Sequence, residues 1–136
     1  MITEDNSRSF VITYKRFKMN NLMINITLVA CGGAFGATFR YLISIAMLSL
    51  FGKGFPFATL SVNVIGSLIM GCIYQLVQQQ TISSSPWWPL IGVGFLGALT
   101  TFSSFSMDTL SLIKQGELFK AMLNEVLTVV VCLLAA

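Results

Sequence analysis

Histidine is absent from this 136-residue sequence, and charged residues make up only 10% of it. The first absence removes the usual general base, the neutral-pH switch and the commonest metal ligand. The second removes the means of covering a water-facing surface, because soluble domains carry about 25% charged residues. Cysteine is sparse as well: Cys31, Cys72 and Cys132 lie far apart, each inside an apolar run. They offer no metal or redox spacing and are expected to be buried small hydrophobes. No catalytic constellation is left, and the chain is read as not an enzyme.

What the sequence has instead is hydrophobicity. Apolar residues make up 55% of the chain and its mean hydropathy is +0.82. A bilayer core about 30 Å thick needs roughly 20 apolar residues per helix, and such runs recur. The expected class is an all-α membrane protein.

The net charge of +3 is concentrated at one end. Arg8, Lys15, Arg16 and Lys18 all precede the first apolar run. Basic residues in that position set topology or touch anionic lipid, and no nucleic-acid partner is expected. Residues 1–22 are read as a polar, basic tail with no fold of its own, disordered or foreign to the working domain, with Met19 and Met23 as alternative starts. With the tail, the N-terminus favours the cytoplasm; without it, either insertion is open, since the loops carry only Lys53, Lys114 and Lys120. A lipoprotein signal ending at Cys31 is disfavoured, because hydrophobic spans and not a soluble domain follow it.

Residues 23–136 form the expected transmembrane domain. Span one covers about 23–51 and ends at Gly52-Lys53-Gly54; span two covers about 57–77 and ends in Gln78-Gln79-Gln80. The polar loop 81–85 leads to Pro86-Trp87-Trp88-Pro89, whose indoles suit the headgroup level. Span three covers about 88–113, and span four covers 118–136 with no polar anchor after it, leaving a longer natural chain open.

Polar side chains at membrane depth are functional candidates by default. Gly32, Gly36 and Arg40 share a face of span one; the glycines favour close helix packing, while Arg40 snorkels to an interface or draws an anion into a vestibule. Thr59, Asn63 and Ser67 recur every four residues in span two, with Gly71 one step on. Such a stripe serves interhelical hydrogen bonding or presents donors to an anion. Span three carries Gly92, Gly94 and Gly97, then Thr100-Thr101-Phe102-Ser103-Ser104-Phe105-Ser106. A break in the helix is expected near 98–103, and unwound backbone at that depth survives only in protein or beside a cavity. Freed carbonyls there suit a cation and freed amides an anion. Phe102 and Phe105, on one helix face, could offer the positive edges of their rings. Asp108 is placed towards the wetter end of the span.

Three motifs then appear in order: Gly33-Ala34-Phe35-Gly36-Ala37-Thr38-Phe39-Arg40-Tyr41, Thr59-Leu60-Ser61-Val62-Asn63-Val64-Ile65-Gly66-Ser67, and Gly94 through Ser106. Together they resemble the Fluc (CrcB) family of fluoride channels from Leu28 to the end of the chain. The resemblance implies four membrane helices with a broken third helix, assembled as an antiparallel homodimer with two pores in the bacterial inner membrane, allowing passive fluoride efflux that protects the cell. It implies fluoride contacts at Asn63, Phe102, Phe105 and Ser103, a vestibule role for Arg40, and a structural Na+ at the dimer centre on backbone carbonyls of Gly97 and Thr100. Two positions depart from the family pattern. Asp108 stands where glutamate is usual, and Asn124-Glu125-Val126-Leu127-Thr128 lacks the common tyrosine, leaving Thr128 as the fourth helix's hydroxyl candidate.

The implied partners are a second copy of the chain, lipid and the fluoride ion. A four-helix dimeric drug or cation exporter is the competing reading. It needs a carboxylate deep in the membrane, and Glu125 is the one deep acid, with Arg40 in span one instead.

Overall fold

A computed structural model describes the backbone of residues 3–79 and 87–136, and the side chains of 19–79 and 87–136. The polar loop 81–85 and the side chains of Arg8, Lys15, Arg16 and Lys18 lie outside the described residues. Among the described residues the fold is all-helical, and four helices are long and apolar enough to cross a membrane.

Helix α1 runs from Thr3 to Phe51. Neither glycine nor proline occurs before Gly32, so nothing in the backbone chemistry interrupts it. The backbone of the polar N-terminal segment is therefore helical and continuous with the first span. The apolar part, Met19–Phe51, has 33 residues and measures about 50 Å, longer than the hydrocarbon core. Gly52 ends α1 with a φ of 69°, a left-handed cap that residues with a Cβ rarely adopt. Helix α2, Phe57–Gln78, follows Pro56.

Helix α3 is unusual. Its first part, Pro89–Leu96, is π-helical, and one α-helical turn, Gly97–Leu99, completes it. Helix α4 spans Phe102–Lys114, and α5 spans Leu118–Ala135. Gly116, with a φ of 78°, turns the chain between them.

Two seams organise the bundle. α1 and α3 meet backbone to backbone: a Cβ on Gly32 would strike the carbonyl oxygen of Leu90, and one on Gly36 would strike that of Phe95. From the other side, a Cβ on Gly94 would lie 2.8 Å from the Val29 carbonyl oxygen. Close packing through small residues, expected for Gly32 and Gly36, is what the structure has. The second seam joins α2 to α4 and α5; polar side chains dominate it, and Gly71 lets the backbone at Ala136 approach α2 closely. Between the seams sits a small core of Val62, Leu96 and Leu99.

Outward faces are apolar, with Phe35, Phe119 and Leu134 all more than 70% exposed. Cys31 and Cys72 are exposed too, which corrects the expectation that the cysteines are buried. Their runs are apolar because they face away from the bundle, where lipid takes the place of a core.

Candidate functional site

The backbone is extended at Thr100 (φ −76°, ψ 152°) and Thr101 (φ −153°, ψ 116°), between the end of α3 and the start of α4. Extended residues at membrane depth leave amides and carbonyls without helical partners, and each unpaired group is costly there. Asn63 resolves much of that cost. Its Nδ2 donates to the Thr101 carbonyl at 3.1 Å, and its Oδ1 accepts from the Thr101 amide at 2.7 Å. One buried amide thus satisfies the Thr101 amide, which has left the helix, and adds a donor to the Thr101 carbonyl, which as the α4 N-cap also starts that helix's bonding. Thr101 then caps α4: its Oγ1 accepts from the Ser104 amide at 3.1 Å and also meets the hydroxyls of Ser103 and Ser104. Gly66 makes room opposite, since a Cβ there would collide with the Thr100 methyl group.

These exchanges fix which carbonyls are freed. In an unbroken helix the Thr101 amide would bond Gly97 and the Ser104 amide would bond Thr100. Both amides are taken by Asn63 and Thr101 side-chain oxygens instead. The carbonyl oxygens of Gly97 and Thr100 therefore lose their helical donors, and hard oxygen ligands of this kind suit a cation such as Na+.

Two cavities approach this break along the α2–α4 seam. One, of about 360 Å³, opens at the end where Gly52, Lys53 and Gln115 come together, and Ser44, Thr59, Ser104, Asp108 and Ser111 line it. At its inner end the Thr59 hydroxyl donates to Asp108 Oδ2 at 2.6 Å, so Asp108 does occupy a polar environment. The other, of about 480 Å³, is mainly apolar and is lined by Asn63, Ser67, Thr101, Phe102, Phe105 and Thr128 among others. Thr59 and Asn63 stand one helical turn apart, about 6 Å along α2. Ser104 lines the polar cavity while Asn63 and Thr101 line the apolar one, and the Ser104–Thr101 hydrogen bonds stand between them.

Phe102 and Phe105 form a tilted pair with ring centroids 5.4 Å apart. Phe105 is buried at 7% exposure, whereas Phe102 is 77% exposed. One ring is fixed by this chain, and the other awaits cover from lipid or another subunit. Thr128, on α5, faces the apolar cavity from the far wall. Ser103 is outside the lining of both cavities and reaches the site through Thr101 Oγ1 at 3.1 Å. Arg40 is half-buried on α1, outside both linings; its carbonyl accepts from Ser44, which does line the polar cavity.

Three contributors are missing from the sequence reading: Thr101 as Asn63's backbone partner, Lys53 at the mouth of the polar cavity, and Asn124. The last is completely buried, and its Nδ2 donates to Thr109 Oγ1 at 2.9 Å. Its spacing four before Thr128 was the available signal.

The family model described as "CrcB-like protein, Camphor Resistance (CrcB)" matches residues 27–136. The chain belongs to the CrcB-like family. Its curated relatives include three proteins named "Fluoride-specific ion channel FluC". That of Pseudoalteromonas translucida (strain TAC 125) is 56% identical over 109 residues, covering 80% of this chain and 91% of the relative. That of Shewanella amazonensis (strain ATCC BAA-1098 / SB2B) is 59% identical over 111 residues, covering 82% and 89%. A third, from Aliivibrio salmonicida (strain LFI1238), is 53% identical over 117 residues, covering 86% and 92%. The family match takes in every residue of the break, both cavities and the α5 wall. With four spanning helices, the chain is a multi-pass membrane protein.

Proposed function

We propose that this chain is the subunit of a fluoride-selective channel that lets fluoride leave the cell passively. Membership of a family whose close relatives carry that name is the observation that supports it most. These relatives support the channel and not the four-helix exporter.

The geometry gives the reading a mechanism. Fluoride is compact and strongly hydrated, so a filter must replace its water with donors at close range, as carbonyl filters do for potassium with the signs reversed. Anions enter the polar cavity past Lys53 and meet the hydroxyl of Ser104, the Thr59 hydroxyl being already given to Asp108, with Arg40 adding positive potential along α1. At the break, Asn63 keeps one Nδ2 hydrogen beyond the one given to Thr101. The apolar cavity then offers the ring edges of Phe102 and Phe105, with the hydroxyl of Thr128 as a weak donor, while Ser103 acts from outside its lining through Thr101 Oγ1. Weak donors bind without trapping, which conduction requires.

The assembly proposed is an antiparallel homodimer with two pores in the bacterial inner membrane. Phe102 supports a second copy, because a ring 77% exposed beside the break needs a neighbour to enclose the path. A structural Na+ at the dimer centre fits the freed carbonyls of Gly97 and Thr100. It would neutralise converging carbonyl dipoles there, while the chain's own residues hold the two strands of the break in place.

The test is fluoride efflux from liposomes containing the purified protein, with chloride as control. Fluoride leaves rapidly and chloride stays if the reading is right; equal permeation, or none, rejects it.

A further inference from the structure

Two buried polar atoms on α5 have no hydrogen-bond partner among the described residues: Asn124 Oδ1 and Thr128 Oγ1. Asn124 is 0% exposed and Thr128 7% exposed. An orphaned polar group in an apolar interior costs about 1–3 kcal/mol, so two on successive turns call for an occupant. Their residues are four apart, which places them on one helix face with Cβ atoms about 5–6 Å apart. A single water spans such a gap, and buried waters commonly satisfy groups of this kind.

The chemistry of the pair selects the occupant. With Nδ2 committed to Thr109, Asn124 presents a carbonyl-type oxygen, which accepts and cannot donate. A bare anion is repelled by it. A second copy of the chain cannot supply the donor either, because Asn124 is already enclosed within one subunit. A small neutral molecule that both donates and accepts fits both atoms.

We infer that Asn124 and Thr128 hold a buried water at the seam between α4 and α5, and that this water serves as a donor to the permeating anion. Thr128 lines the apolar cavity together with Phe105, whereas Asn124 does not. The water gives one hydrogen to Asn124 Oδ1, accepts from the Thr128 hydroxyl, and keeps its second hydrogen for the cavity. This deepens the fluoride reading and rests on it for the anion's identity. The ion then exchanges part of its hydration shell for a fixed water, a contact nearly as favourable as a direct hydrogen bond.

The experiment has two readouts. The first is a high-resolution structure of the intact assembly, with and without fluoride. A water-sized peak within hydrogen-bond distance of Asn124 Oδ1 and Thr128 Oγ1 is expected in both, and absent from Thr128→Val. A dry site, or a peak seen only with fluoride, overturns the inference. The second is fluoride efflux from liposomes. Thr128→Val keeps the side-chain shape, and both it and Asn124→Leu are expected to slow efflux about tenfold, with the elution profile unchanged. Thr128→Ser restores most of what Thr128→Val loses. Unchanged efflux in Thr128→Val refutes the donor role. No fluoride flux in the wild type would instead reject the channel reading, and the density would still decide the water.

Discussion

The two seams of this bundle solve the same problem in opposite ways. α1 and α3 associate by removing side chains, so that backbone meets backbone at Gly32, Gly36 and Gly94. α2, α4 and α5 are joined by polar side chains, with Thr59 on Asp108 and Asn63 on Thr101 reaching from α2, and Asn124 of α5 on Thr109 of α4. In lipid, helices gain nothing from hydrophobic association, and close packing and hydrogen bonds are the means left. The glycine seam leaves no space and no donor, and it works as a scaffold. The polar seam holds two cavities beside the extended residues Thr100 and Thr101, and it is where the proposed channel would handle its ion.

Substitutions can break this contrast. The largest effect is expected on the scaffold side: Gly36→Val drives a branched side chain into the Phe95 carbonyl, where only backbone could yield. Overpacking of this kind costs up to about 3 kcal/mol or more, and loss of the folded species in size-exclusion chromatography is the expected outcome. On the polar side, Phe105→Ile should leave folding intact while reducing fluoride efflux about tenfold or more, since a ring edge is replaced by aliphatic hydrogens. Unaltered efflux would remove Phe105 from the path.

Smaller effects sharpen the assignment. Thr101→Ala removes the α4 cap, at a cost of about 0.5–2 kcal/mol. A lowered midpoint of thermal unfolding is expected with efflux little changed, because alanine keeps the backbone amide and carbonyl that bond Asn63. Lys53→Ala should reduce efflux only about twofold, and the difference should shrink as salt rises from 0.01 to 0.15 M, as expected of a charge at a wet mouth. A salt-independent loss would place Lys53 in a direct contact.

Much of this architecture was legible in the residues. Span lengths follow from the hydropathy of the runs, and the stripe Thr59, Asn63, Ser67 follows from helical spacing alone. The four-residue spacing of Gly32 and Gly36 correctly implied close packing. Spacing could not say what the stripe faces. That Asn63 bonds both backbone groups of Thr101 depends on α2 lying against residues 38 positions on, a tertiary fact. The cysteines misled because apolar runs in a membrane protein face lipid as often as protein. Asn124 escaped notice because its neighbours Glu125 and Thr128 carried the more familiar chemistry, while burial, visible only in the fold, singles it out.

The central claim is that fluoride crosses along the polar seam at the layer Asn63 holds. Fluoride efflux from liposomes, measured per folded protein for the wild type and for Asn63→Leu, tests it most directly. Leucine keeps the volume but orphans the Thr101 amide, at about 1–3 kcal/mol, and removes the donor. The account predicts rapid, chloride-free fluoride efflux in the wild type and a loss of at least about a hundredfold in the variant. Fluoride efflux that persists at the wild-type rate in folded Asn63→Leu protein would contradict it.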